Sequence, residues 1–200
     1  MRHKHGIWIG LFLVAALVTL AAHYYPYFPG DVAAAKWVQG LVPADLQWAE
    51  VVSRAGEFPW ILLILALVFT LSWVLGGWRA ALLSIVSLAG MLALGACLSP
   101  AVARPRPSPE LVQVWRPLHG FSFPSQSVLR FAATWGYLAI LAAVKSSGGR
   151  CTALVAVCAA WLIIGGAARI ALGAHWPSDV LISYYLGLLW AGFLVRLAGR

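Results

Sequence analysis

Three side chains that could do chemistry together stand within eleven positions of one another. They are Arg169, His175 and Asp179, in the stretch ARIALGAHWPSD that runs from Ala168 to Asp179. A histidine followed four residues later by an aspartate has a mechanical meaning. The carboxylate can accept the Nδ1 hydrogen and leave Nε2 free as a nucleophile or base. Arg169 adds a rigid fork suited to phosphate or carboxylate oxygens. The plainer alternative is an interfacial cluster that anchors two helix ends, with Trp176 in the headgroup belt. Three complementary groups together favour a functional site. The chain is only 10% charged, and ionisable groups beside apolar spans are costly.

The elements that position this stretch follow from composition. The 200 residues are 62% hydrophobic, with a mean hydropathy of +0.86, eleven Trp and only six acidic residues. A soluble domain of this size would have too little polar surface to face water. The sequence therefore reads as a single all-α integral membrane domain over residues 1–200, built as an antiparallel bundle of six transmembrane helices. Apolar runs predict spans at Ile7–Ala22, Trp60–Leu75, Ala80–Leu98, Leu129–Val144, Cys151–Gly166 and Val180–Val195. The first follows a basic head and resembles a signal peptide. It lacks a clear small-residue cleavage site before Tyr24-Tyr25-Pro26-Tyr27, and so reads as a retained span. His3 and His5 belong to its basic flank. Val32–Leu41 and Ala44–Arg54 read as short interfacial helices. Gly76-Gly77 marks a tight turn that returns the third span beside the second.

A net charge of +8 would suggest nucleic acid in a soluble protein. Here the basic residues sit at span ends and in one loop, so nucleic acid is not an expected partner. Cys97, Cys151 and Cys158 lack metal-ligand spacing and read as small buried hydrophobes, and no metal is expected. Six spans put both termini on one side, with Arg2, Lys4, Arg79, Lys145, Arg150, Arg196 and Arg200. The other side carries Lys36, Arg54, Arg104, Arg106, Arg116, Arg130 and Arg169. Five of that second set lie in or beside the suspected anion-binding segments. Setting those aside, the bias is seven to two, which predicts cytoplasmic termini and a site facing the periplasm or exterior.

Two further segments could complete the site, in the loops 99–127 and 168–179. Arg104-Pro105-Arg106-Pro107 places two guanidinium groups on a proline-stiffened loop, a pair of forks suited to a tetrahedral oxyanion. Either arginine alone would equally serve as a basic patch for anionic lipid. His119 to Ser127 runs directly into the fourth span. Its backbone N–H groups, with the hydroxyls of Ser125 and Ser127, could cradle an anion. Ordinary N-capping accounts equally well for either serine alone.

Together these segments resemble the three signature motifs of the type-2 phosphatidic acid phosphatase superfamily, which includes vanadium haloperoxidases. The family pattern is Lys-x6-Arg-Pro, Pro-Ser-Gly-His and Ser-Arg-x5-His-x3-Asp. The resemblance spans Ser99 to Asp179 in order, and the third motif matches best. It implies that His175 takes the phosphoryl group as nucleophile, that Asp179 orients it, and that Arg106 and Arg169 bind phosphate oxygens. Arg104, Ser125 and Gln126 are counted with the phosphate-binding set, and no cofactor is implied. The sequence departs from the pattern at three places. Ser99 stands at the first-motif lysine, Ser127 at the second-motif general-acid histidine, and Ala168 at the serine that opens the third motif. A serine hydroxyl is a poor acid at neutral pH, so His119 is a second candidate proton donor. A lipid phosphate leaving from a lipid diphosphate needs protonation less than an alkoxide does.

The expected function is removal or transfer of a phosphate from a lipid phosphate or diphosphate, such as a polyprenyl diphosphate, through a phosphohistidine. The alternative is a degenerate relative that binds or transports phosphorylated lipids. The implied partner is a phosphorylated lipid entering sideways from an inner membrane; the sequence gives no oligomeric state.

Overall fold

The structure is a computed structural model that describes residues 2–198, without the side chains of residues 2–5, 7 and 8. The expectations on Arg2, His3, Lys4, His5 and Arg200 therefore lie outside what is described. Among the described residues the chain is all-helical: α1 Arg2–Tyr24, α2 Asp31–Leu41, α3 Gln47–Ala55, α4 Ile61–Val102, α5 Gln126–Phe131, α6 Tyr137–Lys145, α7 Gly149–Ala171 and α8 Pro177–Ala198. A π-turn, Ala132–Gly136, joins α5 to α6 without a break.

Four of these stretches are long and apolar enough to cross a membrane: Ile61–Val102, Gln126–Lys145, Gly149–Ala171 and Pro177–Ala198. Ile9–Tyr24 of α1 is a shorter apolar helix. Large side chains such as Leu17, Leu63, Val74, Ile163 and Leu181 face outward. That exposure is natural where the solvent is hydrocarbon and unfavourable in water. The chain is an integral membrane protein.

The helix α4 is broken at Gly77, whose φ of 76° and ψ of −176° lie in a region open only to glycine. Ile61 on one arm and Met91 on the other share a packing cluster. In a straight helix they would stand about 45 Å apart, at 1.5 Å per residue. The two arms therefore fold back on each other, where the sequence predicted a separate turn and two spans.

The α5–α6 stretch is the most deeply buried of the four apolar stretches. Small residues let its neighbours approach closely, as membrane helices require. A Cβ on Gly187 of α8 would lie 2.4 Å from Ala132, and one on Gly136 would lie 2.5 Å from Leu188. The π-turn carbonyls need partners in this dry setting. Ser87 donates to the Ala133 carbonyl at 2.8 Å; just after the π-turn, Tyr137 donates to the Ala80 carbonyl of α4 at 2.7 Å.

The short helices α2 and α3 pack on the end of α7, capping one end of the bundle. Gln39 of α2 accepts from the Gln113 amide at 3.1 Å and donates to the Gln113 carbonyl at 2.7 Å. That exchange ties α2 to the long 103–125 segment. Both helices fall close to the short helices expected at Val32–Leu41 and Ala44–Arg54. The apolar helices run further than their apolar runs, so Arg169 falls in the last turn of α7 and Asp179 in the first turn of α8.

Candidate active site

The five residues between α7 and α8 form a tight turn. Gly173 adopts φ +62°, and a Cβ there would lie 2.1 Å from the Gln113 carbonyl oxygen. Only glycine lets the turn press against the 113–114 backbone, where Trp115 N donates to Leu172 O at 3.0 Å. The turn delivers His175 into the interior, 3% exposed.

His175 Nδ1 lies 2.5 Å from the backbone carbonyl of Ser122. A carbonyl only accepts, so the hydrogen sits on Nδ1 and Nε2 presents its lone pair. Two guanidinium groups face that lone pair: Arg169 Nη2 at 3.1 Å and Arg106 Nη1 at 3.4 Å. Arg106 is itself positioned by donating to the Ala174 carbonyl at 2.7 Å. Burial, and then the charges of Arg169 and Arg106, hold the imidazole well below its ordinary pKa. The result is a neutral ring whose unprotonated nitrogen points at two cations, an arrangement that suits attack on an anionic phosphorus centre.

Asp179 does not accept from His175, contrary to the expectation from the four-residue spacing. Its Oδ1 is paired with Arg104 and its Oδ2 accepts from the Ser122 hydroxyl and from Trp176 N at 3.1 Å. The carboxylate thus acts at one remove, fixing the residue whose carbonyl fixes His175. The physical reason is the 122–125 segment, which passes between the two side chains and takes the Nδ1 hydrogen itself.

Arg104 also departs from expectation. Its side chain is buried among Asp179, Asp31, the Ser178 hydroxyl and the Tyr25 carbonyl, with its charge 4.6 Å from the Phe28 ring centroid. Two carboxylates already satisfy it, so it serves the scaffold rather than the phosphate. Asp31 in turn accepts from the Ser178 amide and hydroxyl at 2.9 and 2.7 Å, and so docks α2 onto α8.

Beside His175 lies a cavity of about 460 Å³. Its wall includes Arg106, Arg169, Ser127, Gln126, His119 and Ser99, which brings most of the expected site residues together. Glu57, Phe58 and Arg130 line it too. Ser125 is buried behind this wall: its amide donates to Ser183 at 2.9 Å, and its hydroxyl has no partner. The Nε groups of Arg106 and Arg169 are likewise buried without partners, and among the described residues neither arginine forms a salt bridge. Cations without carboxylate partners around a neutral imidazole make a setting that favours an anion.

The sequence profile of the PAP2 superfamily matches residues 80–200. The chain belongs to the PAP2 superfamily. The match covers the second arm of α4 and every motif segment named above. A similar solved structure is described as the first transmembrane PAP2-type phosphatidylglycerolphosphate phosphatase from Bacillus subtilis. It shares 20% identity over 94% of each chain, with a TM-score of 0.72. At that identity the likeness establishes the PAP2 fold. No curated protein matches the sequence.

Sequence reasoning missed Ser122, Asp31 and Ser183 as positioning groups, and it placed Arg130 near the site without giving it a role. Ser122 acts through its carbonyl, which no residue type announces. Asp31 stands 147 residues from Ser178. For Arg130 a signal existed: a lone charge at the second position of the apolar run Leu129–Val144, three residues after Ser127.

Proposed function

We propose that this PAP2 chain is a lipid phosphate phosphatase or phosphotransferase working through a phosphohistidine. The observation that carries the reading is the His175 arrangement: Nδ1 donating to a carbonyl and Nε2 bare between Arg106 and Arg169. The Nε2 lone pair attacks phosphorus, and the bond from phosphorus to the leaving oxygen breaks. Arg106 and Arg169 hold the equatorial oxygens as charge develops. Water, or the hydroxyl of a second lipid, then takes the phosphoryl group from the ring. Gln126 completes the pocket with Ser125 buried behind it, and Asp179 keeps the ring oriented through Ser122.

Protonation of the leaving group has no imidazole at Ser127. His119, on the same cavity wall, is the donor for substrates that need one. Leaving groups that are already stabilised anions need it least, so lipid diphosphates such as polyprenyl diphosphates are the favoured substrates. In this reading α1, the two arms of α4, the α5–α6 stretch, α7 and α8 make six spans of a single domain. The termini are cytoplasmic, the site faces the periplasm across an inner membrane, and the lipid enters sideways between helices.

The test is phosphate release by the purified protein in detergent. The panel holds a polyprenyl diphosphate, phosphatidate, phosphatidylglycerophosphate and a lipid A diphosphate, with His175→Ala as control. Release that vanishes in the variant supports the enzyme and names its substrate. No release from any of them, with Arg106- and Arg169-dependent phosphate binding retained, replaces it with a binding or transporting relative. Faster release from phosphatidate than from the diphosphates refutes the preference.

A further inference from the structure

Arg130 has no part in the chemistry described so far, yet it shares the cavity wall with His175. It sits in α5, three residues after Ser127. Its guanidinium is held from two sides. Nη1 donates to the Gly56 carbonyl at 2.9 Å, and the charge lies 5.5 Å from the Phe58 ring centroid. Its Nε is buried without a partner, and among the described residues it forms no salt bridge. Glu57 on the same wall offsets part of the charge without pairing with it. A cation so fixed and so poorly paired is costly unless an anion meets it.

The geometry divides the three cavity arginines by task. Arg106 and Arg169 both reach His175 Nε2, so the phosphoryl group under attack occupies them. Arg130, among the described residues, has no hydrogen bond to His175 and is anchored instead to the Gly56 carbonyl. The cavity measures about 460 Å³. That is room for more than one phosphate group.

We propose that Arg130 grips the second phosphate of a lipid diphosphate and so makes the site selective for diphosphate over monophosphate lipids. This rests on the phosphatase reading above. In the step it serves, His175 Nε2 forms a bond to the terminal phosphorus, and the bond from that phosphorus to the bridging oxygen breaks. The electron pair stays on the bridging oxygen, and the lipid leaves as its monophosphate with its new charge against Arg130. No proton is needed at that moment, which agrees with a serine at position 127. Water then attacks the phosphohistidine, releasing inorganic phosphate and returning the lone pair to Nε2.

The experiment compares a polyprenyl diphosphate with the monophosphate of the same chain length, using the full chain in detergent. Arg130→Gln should lower kcat/KM for the diphosphate by about 10- to 100-fold, the loss expected for one charge-assisted group. Its loss on the monophosphate should be at least several-fold smaller. Arg130→Lys, which keeps the charge, should recover part of the selectivity and serves as the folding control. Equal losses on both substrates, or no loss on either, overturn the proposal. A second measurement needs no turnover: calorimetric titration with inorganic pyrophosphate and with orthophosphate, in a His175→Ala background. Arg130→Gln should weaken pyrophosphate binding about ten-fold and orthophosphate binding far less. Unchanged pyrophosphate affinity overturns the role of Arg130, whereas absent phosphate release by the unmodified chain overturns only the phosphatase reading.

Discussion

Replacing Arg104 by methionine separates two roles that an arginine in a phosphatase motif loop can play. The side chain is 1% exposed. Its fork is used up by Asp179, by Asp31 at 3.2 Å and by Ser178 at 2.9 Å, while its Nε donates to Tyr25 O at 3.0 Å. Methionine fills much of the volume but leaves two buried carboxylates without a counter-ion. Breaking a buried pair from one side costs about 3–5 kcal/mol. For a chain of this length, a cost of that size lowers Tm by about 6–20 °C, at roughly 2–4 °C per kcal/mol. Thermal unfolding in detergent reads this directly, and phosphate titration well below the variant's Tm reads the site. Arg104→Met should lose Tm while keeping phosphate affinity within a few-fold. Arg106→Met should do the reverse, because Arg106 has no carboxylate to abandon. Adding Asp31→Asn to Arg104→Met should recover part of the lost Tm, since one uncompensated charge is then gone. An Arg104→Met protein with unchanged Tm and abolished phosphate binding would refute the assignment of Arg104 to the scaffold.

Three further outcomes are expected. The folded state keeps His175 neutral well below the unfolded value of about 6.5, so the unfolded chain binds the extra proton and stability falls as pH drops below about 6.5, by up to about 1.4 kcal/mol per pH unit. His175→Gln removes that penalty, so its Tm relative to the parent should rise between pH 7 and pH 5; a constant difference sinks the argument. Gly173→Ala forces a left-handed residue with a Cβ 2.1 Å from Gln113 O. It should cost at least about 1–3 kcal/mol and reduce phosphate binding, as read by unfolding and titration. Ser127→His places an imidazole on the cavity wall and should raise turnover of a lipid monophosphate by about 10-fold or more while changing diphosphate turnover little. Equal effects on both substrates would show that proton delivery does not set the preference.

The parts of the fold legible in the sequence are those written in local patterns. Apolar runs placed the apolar helices because each helix buries or exposes its own contiguous surface. Gly76-Gly77 marked the fold-back because its backbone conformation tolerates no other residue. The turn from Arg169 to Asp179 was legible because the family spacing and the helix ends coincide in one dozen residues. Arg169 was found at His175 for the same reason, and Arg106 because it stands at the arginine of the first family motif.

What could not be read is the second layer, and Arg104 and Arg106 show why. They stand two residues apart on the same proline-stiffened loop, with the same chemistry and the same apolar surroundings in sequence. One faces a cavity and the other faces Asp31, which is 73 residues earlier in the chain. That difference arises only once α2 is docked beside α8, which no local pattern records. The same applies to His175 and Asp179. Four residues apart, they could meet across one helical turn. Proline at 177 starts a new helix between them, so the histidine stays on the turn and the aspartate joins α8. The carboxylate then meets the Ser122 hydroxyl, and the Ser122 carbonyl meets the ring. A spacing rule identifies which residues cooperate. Whether they touch is decided by the segment that comes between them, and here that segment begins 53 residues upstream of the histidine it holds.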